Sequence, residues 1–338
     1  MDIAGNRPDA GSAENPSPAQ VSHSSESRRI QAVDVFRGMA VAVMVVANYL
    51  EPLTVTPGWL QHAQPLSGLN FLDIGFPFFV FISGMLLPGS LARRLALGGW
   101  RKTLFHFLKR NLLLIAFGIA GTLLLRGHPL RDWGVLQAFG LAGLVALPFA
   151  RLRPGARFAA GLVLITAYQV MLSLGYAEWL LGHEHGDLGG IAGCIAWAGV
   201  MLIGSFLSRH LSDLRQSLVW SASLALALGI AGFALHYVVP VTKPLVTASY
   251  ALVCCGLAAA GFALVLGLDI AGIRLAHFAL FGANPLVCYM LSGVLAEGLR
   301  SLVPEPTLLP ALALASLIYL VCFLCALFLR RRGIFVKL

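Results

Sequence analysis

Three polar side chains stand where two apolar runs meet a short loop: Asn48, His62 and Asp73. Histidine is the side chain best suited to take a proton from an amine or hydroxyl near neutral pH. A nearby carboxylate would fix its tautomer. A carboxamide can donate to an oxygen that turns negative in an acyl-transfer transition state. General base, orienting acid and oxyanion donor are the parts of an acyl transferase. The same residues also describe an interfacial loop histidine, a helix-ending amide and a first-turn aspartate favoured by the helix dipole. Spacing alone leaves both readings open.

The elements that carry these residues follow from composition. Hydrophobic residues make up 58% of the 338-residue chain and charged residues 12%, where a soluble domain carries about 25% charged residues. Mean hydropathy is +0.81. Apolar stretches of about 20 residues recur, each long enough to cross a bilayer as a helix. The chain is therefore expected to be an all-α polytopic membrane protein, a bundle of about ten transmembrane helices. The expected spans are 32–50, 70–89, 104–125, 134–150, 157–181, 189–208, 217–239, 246–268, 277–299 and 308–330. Residues 1–27, rich in Pro, Ser, Ala, Gly and Asn, read as a disordered polar tail. Residues 28–338 then form one membrane domain. All six cysteines fall in apolar runs, Cys322 and Cys325 among them, so packing is expected of them rather than redox or metal chemistry.

Orientation follows from Lys and Arg asymmetry. With the amino terminus cytoplasmic, nineteen basic residues fall in cytoplasmic segments and four on the opposite side, with Arg37 inside the first span. An even number of spans brings both termini to the cytoplasm. The net charge of +9 is then a topology signal, and no nucleic-acid partner is expected. His62 falls on the external side, with Asn48 and Asp73 near the outer ends of their spans.

Other polar residues carry two readings each. Asp34 and Arg37, at i and i+3, form a local ion pair or contact an anionic ligand entering from the cytoplasm. Arg93 and Arg94, in a basic loop at 90–103, obey the positive-inside rule or bind phosphates. His183, Glu184, His185 and Asp187 share an external loop. Its H-x-H lacks the further fixed-spacing ligands of a zinc site, so no metal is expected, and the loop is read as bordering the acceptor entrance. Gln137, Gln169 and Asn284 lie inside spans, where amides bond neighbouring helices. His236, His277 and Glu297 are further polar groups in the spans. Pro285 after Asn284 implies a break in the ninth span, and broken helices line cavities in membrane proteins.

The order of the motifs carries more than their spacing. VDVFRG, Asn48-Tyr49, His62-Ala63, SGLNFLD and GFPFFVFISG follow one another. Gly134-Val135-Leu136-Gln137, VPVTKPLVTASYALVCCGLA, NPLVCYMLS from Asn284 and a final RRGIFVKL come later. This series resembles the heparan-α-glucosaminide N-acetyltransferase-like family of multi-pass transmembrane acyltransferases, over about residues 29–338. The resemblance implies transfer of acetyl from cytoplasmic acetyl-CoA, a co-substrate, to an amino or hydroxyl group of an external sugar or glycan. It implies His62 as the catalytic histidine, Asn48 and Asp73 as its companions, and a homodimer in the membrane lipids. Asp34, Arg37, Arg93, Arg94, Gln137 and Asn284 become candidate donor-binding residues. Lys243, His183 and His185 become candidate acceptor-binding residues. Three departures stand out: Leu72 where the family has alanine, Ala138 where it has arginine, and Gln64-Pro65-Leu66-Ser67 after the His-Ala pair. The last falls where the acceptor would be read. The compact chain points to the bacterial inner membrane. A translocator of a glycan or lipid-linked substrate and a scaffold subunit of an envelope assembly are the alternatives.

Overall fold

The computed structural model describes residues 18–63, 68–125, 133–182 and 188–336. His183 and His185 lie outside the described residues, as do positions 64–67 and residues 1–17 of the expected tail. The described chain is helical, with no strand and a single isolated bridge between Gly68 and Thr242. Helices are the expected answer in lipid, because each satisfies its own backbone donors and acceptors.

Eleven α-helices follow in order among the described residues. They are α1 (Pro18–Leu50), α2 (Gly75–Leu125), α3 (Val135–Ala146), α4 (Pro154–Met171), α5 (Ala177–Gly182), α6 (Cys194–Gly204), α7 (Leu214–His236), α8 (Ala248–Ile270), α9 (Ala276–Ala283), α10 (Pro285–Leu302) and α11 (Leu308–Arg331). α1 begins at Pro18, so the expected boundary at residue 28 is not an element boundary.

Six helices are long and apolar enough to cross a membrane, or seven if a bent pair counts as one span. Ten were expected, and the shortfall has two physical sources. The basic loop expected at 90–103 is helical: Leu91, Ala92, Arg93, Arg94 and Leu95 are good helix formers, and charge keeps a helix out of lipid without unwinding it. The run Phe71–Leu124 thus passes as a single 54-residue stretch. A straight helix of that length would measure about 80 Å, far beyond a bilayer core of about 30 Å. It is interrupted at Gly99, whose φ of 70° suits a residue without a Cβ. The second source is length: Val135–Phe149 and Cys194–Arg209 are apolar but short. The break expected at Asn284–Pro285 is present as an 86° bend between α9 and α10. The proline there has no N–H to continue the helix.

The core is laid around α6, buried from Cys194 to Gly204 apart from Ile195. α6 packs on α2, α3 and α4; α1 packs on α9 and α10; α7 lies along α8. The outer helices keep apolar side chains exposed, such as Leu226, Ile230 and Phe233 on α7 and Leu320, Leu324 and Phe328 on α11, as a hydrocarbon-facing surface requires. Arg157, one of the nineteen basic residues assigned to the cytoplasmic side, is buried. It donates to Ser205 and Ser208 side chains and to the Leu152 and Ser205 carbonyls, tying α4 to the turn after α6.

α1 and α9 touch backbone to backbone. A Cβ at Gly38 would collide with the Phe278 carbonyl oxygen, and one at Gly282 with that of Asp34. Small residues permit such approaches in membranes. Gly38→Ala should therefore cost about 1–3 kcal/mol through overpacking and lower the thermal unfolding midpoint in detergent. Gly121→Ala, where a new Cβ meets open space, should leave the midpoint unchanged or raise it.

Candidate active site

The site is organised around one carboxylate. Asp73 sits in a short 3₁₀ helix, Phe71–Ile74, that leads into α2. Its Oδ1 lies 2.7 Å from His62 Nδ1 and 3.4 Å from Lys243 Nζ. Its Oδ2 accepts the backbone N–H of Asn70 at 2.8 Å and of Ala63 at 3.2 Å. Tyr250 donates its hydroxyl to the Asp73 carbonyl at 3.0 Å. The Asp73 side chain has no solvent exposure, whereas that of His62 is 27% exposed. A carboxylate buried to this degree needs every partner it has.

The local sequence explains the geometry. Asn70 is the N-cap residue and Asp73 stands three positions on, so the carboxylate reaches back to the cap amide as in a capping box. The loop from α1 is folded onto the same spot. Thr56 Oγ1 donates to the Leu50 carbonyl, Gln61 to the Thr56 carbonyl, and the Asn70 amide to the carbonyls of Gly58 and Gln61. His62 is presented by this closed loop. An ionised carboxylate only accepts, so Nδ1 carries the shared hydrogen and Nε2 is left as the basic nitrogen of the ring.

Lys243 comes from the segment between α7 and α8. The family resemblance implies an acceptor-binding role for it; the structure buries it against Asp73, with 6% of its side chain exposed. Its loop is pinned from several sides. His236 Nδ1 accepts the Val241 N–H, Gln169 Oε1 accepts the Ala248 N–H, and Tyr168 donates to the Leu245 carbonyl. Gln169 and His236, polar groups inside apolar runs, thus serve to hold this loop. Val246 adopts φ +52°, a strained conformation for a β-branched residue that persists only when its surroundings dictate it.

Asn48 is placed by other partners. Its side-chain amide donates to Ser292 Oγ at 2.9 Å, leaving a second N–H on the same nitrogen. Its carbonyl accepts from Arg300 at 2.6 Å, and Arg300 pairs with Glu297 at 2.5 Å. α10 therefore fixes the carboxyl-terminal end of α1.

The candidate donor residues divide into three groups. Arg37 pairs with Asp34 at 2.6 Å and donates Nε to the Gly282 carbonyl at 2.7 Å, at the break after α9. Asn284 is fully buried at that break and clamps the chain end, donating to the Ile334 carbonyl and accepting the Val336 N–H. Gln137 is elsewhere, bonded to Thr122 at 3.0 Å between α3 and α2. Arg93 and Arg94 are exposed on α2. Arg110 was not singled out by sequence. Its Nε is buried with no hydrogen-bond partner among the described residues, and Arg37 and Arg94 are its charged neighbours.

The residues missed were Asn70, Tyr250, Ser292, Arg300 and Arg110. Asn70-x-x-Asp73 was readable as a capping pattern. Ser292 and Arg300 lie more than 240 positions from Asn48, and nothing local marks them.

A family model described as "Heparan-alpha-glucosaminide N-acetyltransferase, catalytic" matches residues 29–239. The match takes in Asn48, His62 and Asp73. A mouse protein named heparan-alpha-glucosaminide N-acetyltransferase is similar at 34% identity over 96 residues, 28% of this chain. That stretch spans 14% of the mouse protein's length.

The pairing of Asp73 with Lys243 can be tested without any assay of activity. Asp73→Asn should destabilise by about 3–5 kcal/mol, because it breaks a buried charge pair. A cycle with Lys243→Met should show coupling of about 1–3 kcal/mol, read from thermal or denaturant unfolding, with the double variant less destabilised than the sum.

Proposed function

The chain belongs to the heparan-α-glucosaminide N-acetyltransferase catalytic family, and on that premise we propose that it is a transmembrane acetyltransferase. In this reading acetyl-CoA is the donor, and an amino or hydroxyl group of an external sugar or glycan is the acceptor. The observation that carries it is the 2.7 Å contact between His62 Nδ1 and the buried Asp73 carboxylate. It orients a partly exposed imidazole with Nε2 available as base.

Two further observations support the donor's path. Arg37 and Asn48 share α1, eleven residues and about 16 Å apart at 1.5 Å per residue. That separation is comparable to an extended pantetheine arm. Arg37 and Arg94 both neighbour Arg110, and guanidinium groups are suited to phosphate. We therefore assign the phosphates to the basic end and the thioester to the Asn48 end. The basic end is cytoplasmic by the charge asymmetry.

The chemistry then follows in balanced steps. The acceptor nitrogen or oxygen attacks the acetyl carbonyl carbon while His62 Nε2 takes its proton. The carbonyl oxygen becomes negative and is met by the Asn48 amide. Collapse breaks the carbon–sulfur bond, and the departing thiolate receives the proton from the imidazolium. Asp73 stabilises the imidazolium between these two steps. Lys243 and the Asn70 and Ala63 amides hold Asp73 in place.

The bent α9–α10 pair also suits a translocator, since discontinuous helices are frequent in transporters. Glycan flux into vesicles without any acyl donor would be its signature.

With purified protein, labelled acetyl-CoA and glucosamine as probe acceptor, acetylated sugar should form. Asn48→Ala should lower kcat about 10²–10³-fold, and His62→Ala by about 10²–10⁴-fold, the usual share of a general base. Full activity of His62→Ala would remove the histidine from the mechanism.

A further inference from the structure

A groove of about 490 Å³ opens between α9 and α11, away from His62 and Asp73. Ala276, His277 and Leu280 line it from α9, and Leu327, Arg330 and Arg331 from α11. Its floor is apolar and its rim is basic. We propose that this groove binds an anionic glycerophospholipid, the phosphate at the rim and the upper part of one acyl chain on the floor.

Three features of the groove favour this ligand. The first is charge complementarity. Arg330 and Arg331 stand side by side on the last turn of α11, which closes through Gly333 at φ +67° with Gly333 and Ile334 amides bonded back to Arg330 and Leu329. Two guanidinium groups on an ordered turn offer paired donors to a phosphate. The second is the opposite wall. α9 starts at Ala276 without a side-chain cap, so the positive end of its backbone dipole faces the same rim, as at anion sites on helix N-termini. The third is depth. α11 is 24 residues long, about 36 Å at 1.5 Å per residue, so its basic end lies at the edge of a bilayer core of about 30 Å. Exposed Leu320, Leu324 and Phe328 continue the apolar surface of α11 towards the bilayer interior. A basic pocket between helices at a membrane boundary is a recurring lipid headgroup site.

The groove also has a mechanical position. α9, its inner wall, packs backbone to backbone on α1 and receives Arg37 at Gly282. Lipid seated between α9 and α11 would hold α9 against α1. Bound phospholipid should thus stabilise the fold whether or not acyl transfer occurs, so this inference does not rest on the transfer reading.

The test uses the full chain, delipidated in neutral detergent and titrated separately with phosphatidylglycerol and phosphatidylcholine. Bound lipid is counted by native mass spectrometry, and unfolding is followed thermally. Phosphatidylglycerol should bind and raise the unfolding temperature, and phosphatidylcholine should do neither. Arg330→Ala/Arg331→Ala should weaken phosphatidylglycerol binding about tenfold or more. Leu280→Trp, which fills the floor and keeps the charges, should weaken it too. Coenzyme A, with the phosphates but no acyl chain, should not displace the lipid. The inference is overturned if both variants bind phosphatidylglycerol like the wild type, or if phosphatidylcholine binds equally well. Displacement by coenzyme A from the wild type, lost in the arginine variant, would overturn it in favour of a nucleotide-phosphate site. The lipid-free unfolding temperature of each variant shows that it is folded before any loss of binding is counted.

Discussion

A carboxylate removed from water constrains everything around it. Asp73 has no exposed side-chain surface, yet it lies at the junction of a loop and a helix. Its two oxygens are satisfied by two backbone amides, an imidazole and an ammonium group. These partners come from three parts of the chain: the loop after α1, the approach to α2 and the segment between α7 and α8. Removing any of them leaves part of a buried charge uncompensated, and that penalty keeps the three parts together. The loop that presents His62 is therefore held by the same interaction that orients the ring.

The rest of the fold reads as support for that junction and for its counterpart at the other end of α1. At the Asn48 end, α10 supplies Ser292 and Arg300 to Asn48. At the basic end, α9 receives Arg37 at Gly282, while Asn284 clamps Ile334 and Val336. The 86° bend between α9 and α10 lets these adjacent helices contact α1 at both levels. α1 then serves as a fixed spacer between a cationic region and Asn48. A donor that is anionic at one end and reactive at the other fits such a spacer, which is why the proposed acetyl-CoA path runs along it.

Much of this was legible in the sequence, and the exceptions have physical reasons. Continuous apolar runs marked the helices, and Asn284-Pro285 marked the break, because both signals are local. His62 and Asp73 were legible as neighbours because they are eleven residues apart. The placement of Lys243 was not legible: the family resemblance implied a lysine near the acceptor, and only tertiary structure shows it buried on the Asp73 carboxylate. The loop expected at 90–103 is helix on either side of a break at Gly99, since positive charge predicts exclusion from lipid and says nothing against helical backbone. Gln169 and His236 were visible as polar residues in apolar surroundings, but their partners, the N–H groups of Ala248 and Val241, are backbone groups at and before the start of α8 that hydropathy does not mark. Arg110 hid among its basic neighbours, because burial is not written in composition.

The central claim is that Asp73 holds His62 with Nδ1 protonated and Nε2 free to act as base. Nitrogen-15 magnetic resonance of histidine-labelled protein in bilayers tests it most directly, with His62 assigned by its loss in His62→Ala. At a pH where the ring is neutral, the account predicts the Nδ1–H tautomer in the wild type and loss of that preference in Asp73→Asn. A His62 ring found as the Nε2–H tautomer, or one indifferent to the Asp73 substitution, would contradict it.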